Sequence, residues 1–515
     1  MTHVKNIIVL GGGSAGLLAA ISIKVKLPQL GVRVVRSKEI GVIGVGEGTT
    51  PGFSHHLFDF LGLRRSVFYK HARPVWKLGI RFLWGPRERF DYTFCPQLDS
   101  GLDNLPRPNG YYCENEFRDV HLASALMNRD LAWPRQKNGA PDVQPWHGFH
   151  LENTLLVEVL EKVARENGVE FTDATVRNAE RGPKGIAALC LEDGRRLEAD
   201  LYVDASGFRS ELLGKTLETP YQSYDKALFC DRAIVAGWDR QPDEPILPFT
   251  TAETMDAGWA WQIEHEEIIN RGYVYSSAHI TDDEACAEFL RKNPRINREP
   301  RIVKFRSGNY REVWRENVVA VGNASGFVEP LEASALMVIC SQCETIVTSL
   351  SHSGMELGPA MRRFANKHLT RQWDNIRDFL AFHYKFNTRL NTPFWQHARA
   401  ETDISPLDSM MEMYHQNGPT GLLRYTLPNG PENDFGIEGY LVMLLGMRVP
   451  WRRSYQTSPE EQRIWQSHLA NHRAIANQGL TTEESLRYVH DPRWQWNDTI
   501  EQQPTADQPH QPMLA

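Results

Sequence analysis

The feature that most constrains this chain is the run Ile7-Ile8-Val9-Leu10-Gly11-Gly12-Gly13-Ser14-Ala15-Gly16-Leu17-Leu18-Ala19-Ala20. β-branched apolar residues stop at a glycine cluster, and an Ala/Leu-rich helix-forming segment follows at once. That order spells strand, tight turn and helix, the opening of a dinucleotide-binding βαβ unit. Gly11, Gly13 and Gly16 fill the three glycine positions of G-x-G-x-x-G. Gly11 permits the turn, Gly13 lets backbone approach a pyrophosphate, and Gly16 lets the new helix pack closely on the strand. Ser14 and Ala15 open that helix, whose unpaired N–H groups and positive dipole end suit phosphate. A secretory leader is not expected, because three glycines interrupt the apolar segment and the run continues into Ser22, Lys24 and Lys26.

With 515 residues, the chain exceeds the roughly 250–300 residues at which one hydrophobic core stops growing, so at least two lobes are expected. A net charge of −7 gives no electrostatic footprint for nucleic acid or an anionic membrane. No apolar run reaches the roughly 18 residues of a spanning helix. The 7 cysteines are an odd number, scattered along the chain, which favours a reduced cytoplasmic setting over a disulfide framework.

Val32-Arg33-Val34-Val35 reads as the second parallel strand. The acidic residue that would hold the ribose is replaced by Arg36, which fits either NADP, through its extra phosphate, or an FAD site with Glu39 or backbone at the ribose. Gly44-Val45-Gly46-Glu47-Gly48-Thr49-Thr50-Pro51 is a second glycine-rich loop. Trp76-Lys77-Leu78-Gly79-Ile80-Arg81-Phe82 alternates as one strand, with Lys77 on the face opposite the apolar side chains. On pattern alone such a lysine is solvated. From 83 to 146 the period is neither 2 nor 3.6, as expected of loops and short helices over a pocket. Two more apolar strands end in small-residue turns, at Asp204-Ala205-Ser206-Gly207 and at Gly322-Asn323-Ala324-Ser325-Gly326. Trp259 and Trp261 share one face of a strand, an arrangement more often found in a core than in a cofactor wall. Leu331-Glu332-Ala333-Ser334-Ala335 runs into a helix whose first N–H groups suit an anion. Cys340 and Cys343 form a C-x-x-C without a second pair, so no metal is expected. After about 350 the composition turns helical, and 501–515 is a Gln/Pro-rich flexible tail.

In this order, these motifs resemble the tryptophan halogenase family of flavin-dependent halogenases, from Gly11 to about Arg453. The resemblance implies an α/β fold. A Rossmann-like FAD-binding lobe of flavin monooxygenase type would span 1–350, with a mostly helical substrate lobe over 351–500. It implies FAD at Gly11, Gly13, Ser14, Ala15, Gly16, Arg36, Gly44, Val45, Gly46, Glu47, Asp204, Gly322 and Asn323. It places Lys77 and Glu332 on the family's catalytic lysine and glutamate, halide at the backbone of Ser334 and Ala335, and Trp259 and Trp261 as a shield beside the flavin. FADH2 from a separate NAD(P)H flavin reductase, with O2 and chloride or bromide, would yield hypohalous acid that travels to Lys77. As a pocket side chain, Lys77 would be removable without a change in stability. Two departures stand out: W-x-W-x-I-P ends in Glu264, and L-E-S-T-G appears as Leu331 to Ala335 without its glycine. The segment after 350 lacks the family's tryptophan cage, so an electron-rich aromatic such as an indole, pyrrole or phenol is expected. A homodimer is allowed. The alternative is a single-component FAD-dependent aromatic monooxygenase.

Overall fold

The computed structural model describes residues 3–37 and 46–496. Asn6–Leu10 lies at the middle of a six-stranded sheet, pairing in parallel with Gly31–Arg36 and with Leu201–Asp204. Glu170–Asp173 and Val318–Ala320 extend it in parallel, and Trp314–Arg315 closes one edge antiparallel. Such a sheet must be covered on both faces. Alternation along the first strand sends Ile7 and Val9 into a core shared with helices Ser14–Lys26, Asn153–Glu166 and Ala335–His352. Ile8 and Leu10 face a second layer, formed with Ile186, Leu189 and Leu191 of the strand Gly185–Leu191. This is the expected α/β, Rossmann-like architecture.

A seven-stranded sheet forms the other half, in the order Arg301–Lys304, Arg232–Asp239, Ile268–Tyr275, Gly258–Glu264, Thr250–Met255, Gly79–Leu83 and Phe90–Thr93. Every neighbouring pair is antiparallel except Thr250–Met255 with Gly79–Leu83. Its inner face packs on the helices that follow residue 359, so that Phe82 and Trp259 share a core with Phe379 and Tyr440. The helix Pro359–Phe386 also reaches the parallel sheet. Near its start, the Asn366 side chain accepts from Trp314 N–H at 2.7 Å and donates to Trp314 C=O at 2.9 Å.

The run Trp76 to Phe82 is not one strand, contrary to its alternation. Val75–Lys77 pairs with Gly148–Leu151 in a small sheet that also holds Glu47–Gly48, whereas Gly79–Leu83 belongs to the seven-stranded sheet. Leu78 marks the change: its N–H donates to Pro248 C=O at 2.8 Å, and its C=O accepts from Phe94 N–H at 3.1 Å. Trp76 and Leu78 therefore fill one core, and Ile80 and Phe82 the other. Lys77 stands one residue before the switch and is 0% exposed, not solvated. Among the described residues, no helix is long and apolar enough to cross a membrane.

The glycine turn is built on the close contacts expected of Gly11 and Gly16. Gly11 sits at φ +124°, and a methyl group there would lie 2.2 Å from Ala205 C=O. One on Gly16 would lie 2.1 Å from Gly11 C=O, whereas at Gly13 nothing comes within 4 Å. Gly16→Ala should therefore push the helix off the strand. A loss of about 2 kcal/mol or more is expected, seen as a lower thermal midpoint together with weaker FAD binding. An unchanged midpoint would contradict the close packing.

Candidate active site

The helix that starts at Ser14 has Gly13 as its N-cap, with no side chain bonded to its first turn and no acidic residue there. Its free N–H groups open onto the space that Gly13 leaves, a cradle that fits a pyrophosphate. Gly322, at φ +59°, approaches Ala15 from the other side. Its N–H donates to Gln342 Oε1 at 2.7 Å, and Gln342 Nε2 donates to Ser325 Oγ at 2.7 Å. Gln342 thus fixes the turn that carries Gly322 and Asn323. It lies on the helix Ala335–His352 with no spacing signal in the sequence to reveal it.

Two expected cofactor residues are engaged by the chain itself. Asp204 is fully buried, and burial raises its pKa. One of its oxygens accepts from the N–H and hydroxyl of Ser206, the other from Leu212 N–H and Leu213 N–H. Its contribution is to shape the loop after the strand. The Arg36 stem lies across Gly12, and its guanidinium binds Glu161 at 2.6 Å and Asp173 at 2.9 Å. A cofactor phosphate at Arg36 would have to displace two carboxylates. Gly46, at φ +73°, and Gly48 flank half-buried Glu47, whose carboxyl burial pushes up to about 7 against a hydrogen bond from Asn153. Glu39, Gly44 and Val45 lie outside the described residues.

Lys77 Nζ has no hydrogen-bond partner among the described residues and stands 5.3 Å from the centre of the Phe94 ring. Burial lowers its pKa from 10.5 to about 7, with the Glu332 carboxylate acting in the opposite direction. Gly48 brings the second glycine-rich loop to this amine. A methyl group on Gly48 would lie 3.2 Å from Ala333 Cβ, 3.4 Å from Lys77 Nζ and 3.7 Å from Thr250 Oγ1.

Ala333 closes a turn in which its N–H donates to Pro330 C=O at 3.1 Å, and it is held at φ +53°, an uncommon conformation for a residue with a side chain. Glu332 precedes it and is buried. Its Oε1 is 2.8 Å from His383 Nε2, while His383 Nδ1 is 2.6 Å from Phe379 C=O. A carbonyl only accepts, which assigns the Nδ1 proton. The contact with Glu332 then requires one more proton between Nε2 and the carboxyl, which ties the two groups together. His383 is a second functional residue that sequence spacing did not mark. Ser334 caps the helix Ala335–His352, and the first-turn N–H groups beyond it have no intrahelical acceptor.

The Trp259 and Trp261 rings lie 6.0 Å apart in the second core, and neither indole N–H has a partner among the described residues. Trp259 lies with Tyr384 and Cys230 around Glu329, a carboxyl that is 0% exposed and that burial pushes up to about 7. Among the described residues, no contact of good hydrogen-bond geometry reaches either Glu329 oxygen.

A family model described as tryptophan halogenase matches residues 6–485. The chain belongs to the tryptophan halogenase family. It is accordingly a flavin-dependent halogenase, an oxidoreductase whose cofactor is FAD. Tryptophan 7-halogenase KtzQ of Kutzneria sp. (strain 744) is 30% identical over 82% of this chain and 83% of its own. The crystal structure of MibH, a lanthipeptide tryptophan 5-halogenase, superposes with a TM-score of 0.86 at 39% identity, covering 95% of this chain and 94% of MibH. BrvH, a flavin-dependent halogenase from Brevundimonas sp. BAL3, gives 0.83 at 26% identity, covering 94% and 99%.

The burial of Lys77 corrects the expectation that it can be removed without consequence for stability. The unfolded chain holds the lysine proton up to about pH 10.4, whereas the folded amine loses it near 7. Each unit of that difference costs the folded state about 1.4 kcal/mol below the folded pKa, and the cost is relieved as pH rises between the two values. Lys77→Met should therefore raise the thermal midpoint at pH 6, and the gain should shrink by pH 10. Parallel melting curves at the two pH values test this, and a gain independent of pH would contradict it.

Proposed function

We propose that this protein uses reduced FAD and O2 to chlorinate or brominate the indole of tryptophan, with hypohalous acid guided by Lys77. The observation that carries this reading is the Lys77 amine, which is buried, without a partner among the described residues, near neutral in pKa and beside Glu332. The helix end at Gly13 to Ala15 and the loops at Gly46 to Gly48 and Gly322 to Asn323 would hold reduced FAD, which would supply hypohalous acid from O2 and halide. Halide is held by the backbone of Ser334 and Ala335, where the helix dipole favours an anion. Trp259 and Trp261 form part of the wall that keeps the aromatic substrate away from the flavin.

With a pKa of about 7, Lys77 offers an ammonium that donates a hydrogen bond to the oxidant, or an amine that takes the halogen from it. As the ring carbon bonds to the halogen, the halogen–oxygen bond breaks and the oxygen leaves as water. The Glu332 carboxylate, backed by His383, accepts the ring proton. The commitment of Arg36 to Glu161 and Asp173 supports the view that no NADP phosphate docks there. A separate NAD(P)H flavin reductase then supplies the electrons. The 39% identity to a lanthipeptide halogenase along nearly the whole chain supports a tryptophan presented within a peptide.

The test is mass spectrometry of reactions containing the protein, a flavin reductase, NADH, FAD, O2 and either chloride or bromide. Free tryptophan, tryptophan-containing peptides and other indoles, pyrroles and phenols are supplied in turn. A halide-dependent mass shift on tryptophan, larger for peptides, is expected. Hydroxylated product, or NADH oxidation without the reductase, would instead indicate a single-component monooxygenase. Lys77→Ala should oxidise FADH2 at the normal rate yet lose product more than about a hundredfold. Glu332→Gln should show a milder separation. Normal product from Lys77→Ala would remove the reading.

A further inference from the structure

Behind the Lys77 amine, three strands place one hydroxyl that the steps above leave unused. Thr250 begins the strand beside Gly79–Leu83, and its Oγ1 lies 2.8 Å from Nε2 of the fully buried His150. On the other side of the ring, the backbone N–H of Glu264 is 3.3 Å from His150 Nδ1. This is where the family's W-x-W-x-I-P carries proline, which has no N–H. Glutamate supplies one, while its buried carboxylate is occupied by Arg240 at 2.5 Å and Gln262 at 2.8 Å.

These contacts fix the ring. A backbone N–H only donates, so Nδ1 is an acceptor and the ring proton resides on Nε2. Burial, with the charges of Lys77, Arg240 and His265 beyond it, drives the His150 pKa well below its ordinary value, so the ring stays neutral. Nε2–H therefore donates to Thr250 Oγ1, and the threonine keeps its own hydrogen to give elsewhere. Thr250 Oγ1 and Lys77 Nζ border the same small space, 3.7 Å and 3.4 Å from one point above Gly48, and no hydrogen bond joins them.

We infer that Thr250 is a further catalytic residue, whose hydroxyl, aimed by His150, donates a hydrogen bond to the oxygen of hypohalous acid held at Lys77. The inference rests on the halogenase reading. Two donors on one oxygen fix which way the halogen points, and they favour the oxygen as leaving group. When the ring carbon takes the halogen, the halogen–oxygen electron pair stays on oxygen. That oxygen leaves as water with a proton from the Lys77 ammonium, the ring proton goes to Glu332, and Thr250 keeps its own. His150 is a positioning residue in this scheme.

The experiment compares wild type, Thr250→Val and Thr250→Ser for halogenated product formed per FADH2 oxidised, with a 1,3-diketone added to trap escaping hypohalous acid. Valine fills the same volume without the hydroxyl. It should leave FADH2 oxidation intact, lower product about a hundredfold, as removal of one preorganised donor does, and raise the trapped halogen. Serine should restore coupling. In the flavin-free protein, nitrogen NMR of labelled histidine, assigned with His150→Asn, should find the proton of His150 on Nε2. Wild-type coupling in Thr250→Val, no rescue by serine, or a proton on Nδ1 would each overturn the inference while leaving the halogenase reading in place. A wild-type protein that halogenates no aromatic would remove both.

Discussion

A lysine amine held away from water, with no hydrogen-bond partner among the described residues, is the feature the rest of this structure has to support. Lys77 is placed there by a change of sheet: the chain leaves the small sheet that contains Gly48 and enters the seven-stranded one within two residues. Both cores press on that corner, and among the described residues neither offers the amine a partner. The nearby compensation is Glu332, itself buried and tied to His383. A lysine in this position weakens the fold below neutral pH, and the two large cores tolerate the loss.

Around the corner, the parts that act together arrive from distant stretches of chain. Gly48 belongs to the glycine-rich loop, Thr250 to the central sheet and Ala333 to a turn with a positive φ. A methyl group at 48 would press on Ala333 Cβ at 3.2 Å, so glycine there eases the approach of the loop to the turn. The same turn orients Glu332 and ends at the start of the helix Ala335–His352, so the strain at Ala333 joins a carboxylate and an anion-favouring helix end in consecutive residues.

What could be read from the sequence follows how local each feature is. Gly11 and Gly16 declare their packing roles within one strand, turn and helix, and the structure has both close contacts. Lys77 was legible only through family resemblance, because alternation alone makes it a solvated strand lysine. The switch at Leu78 depends on Pro248 and Phe94, which no local pattern connects to it. His383, Gln342, His150 and Thr250 carry no spacing signal at all. Each makes a contact with a residue outside its own strand or helix, as His383 does with Glu332 across 51 positions. Asp204 and Arg36 show the converse, where a motif position was recognised and its side chain was found bound to the chain's own groups.

The helix Pro359–Phe386 also serves as a ruler. Asn366 clamps its early part to the edge of the parallel sheet at Trp314, and His383 near its end meets Glu332. About 25 Å of unbroken α-helix separates the two grips, so the span between sheet edge and carboxylate is counted in residues and not adjusted by packing. One residue inserted between them would turn His383 by about 100° around the helix axis and swing the imidazole off its carboxylate. Even a whole added turn would carry the two grips about 5.4 Å farther apart, so this interval is fixed in residue number as well as in rotation.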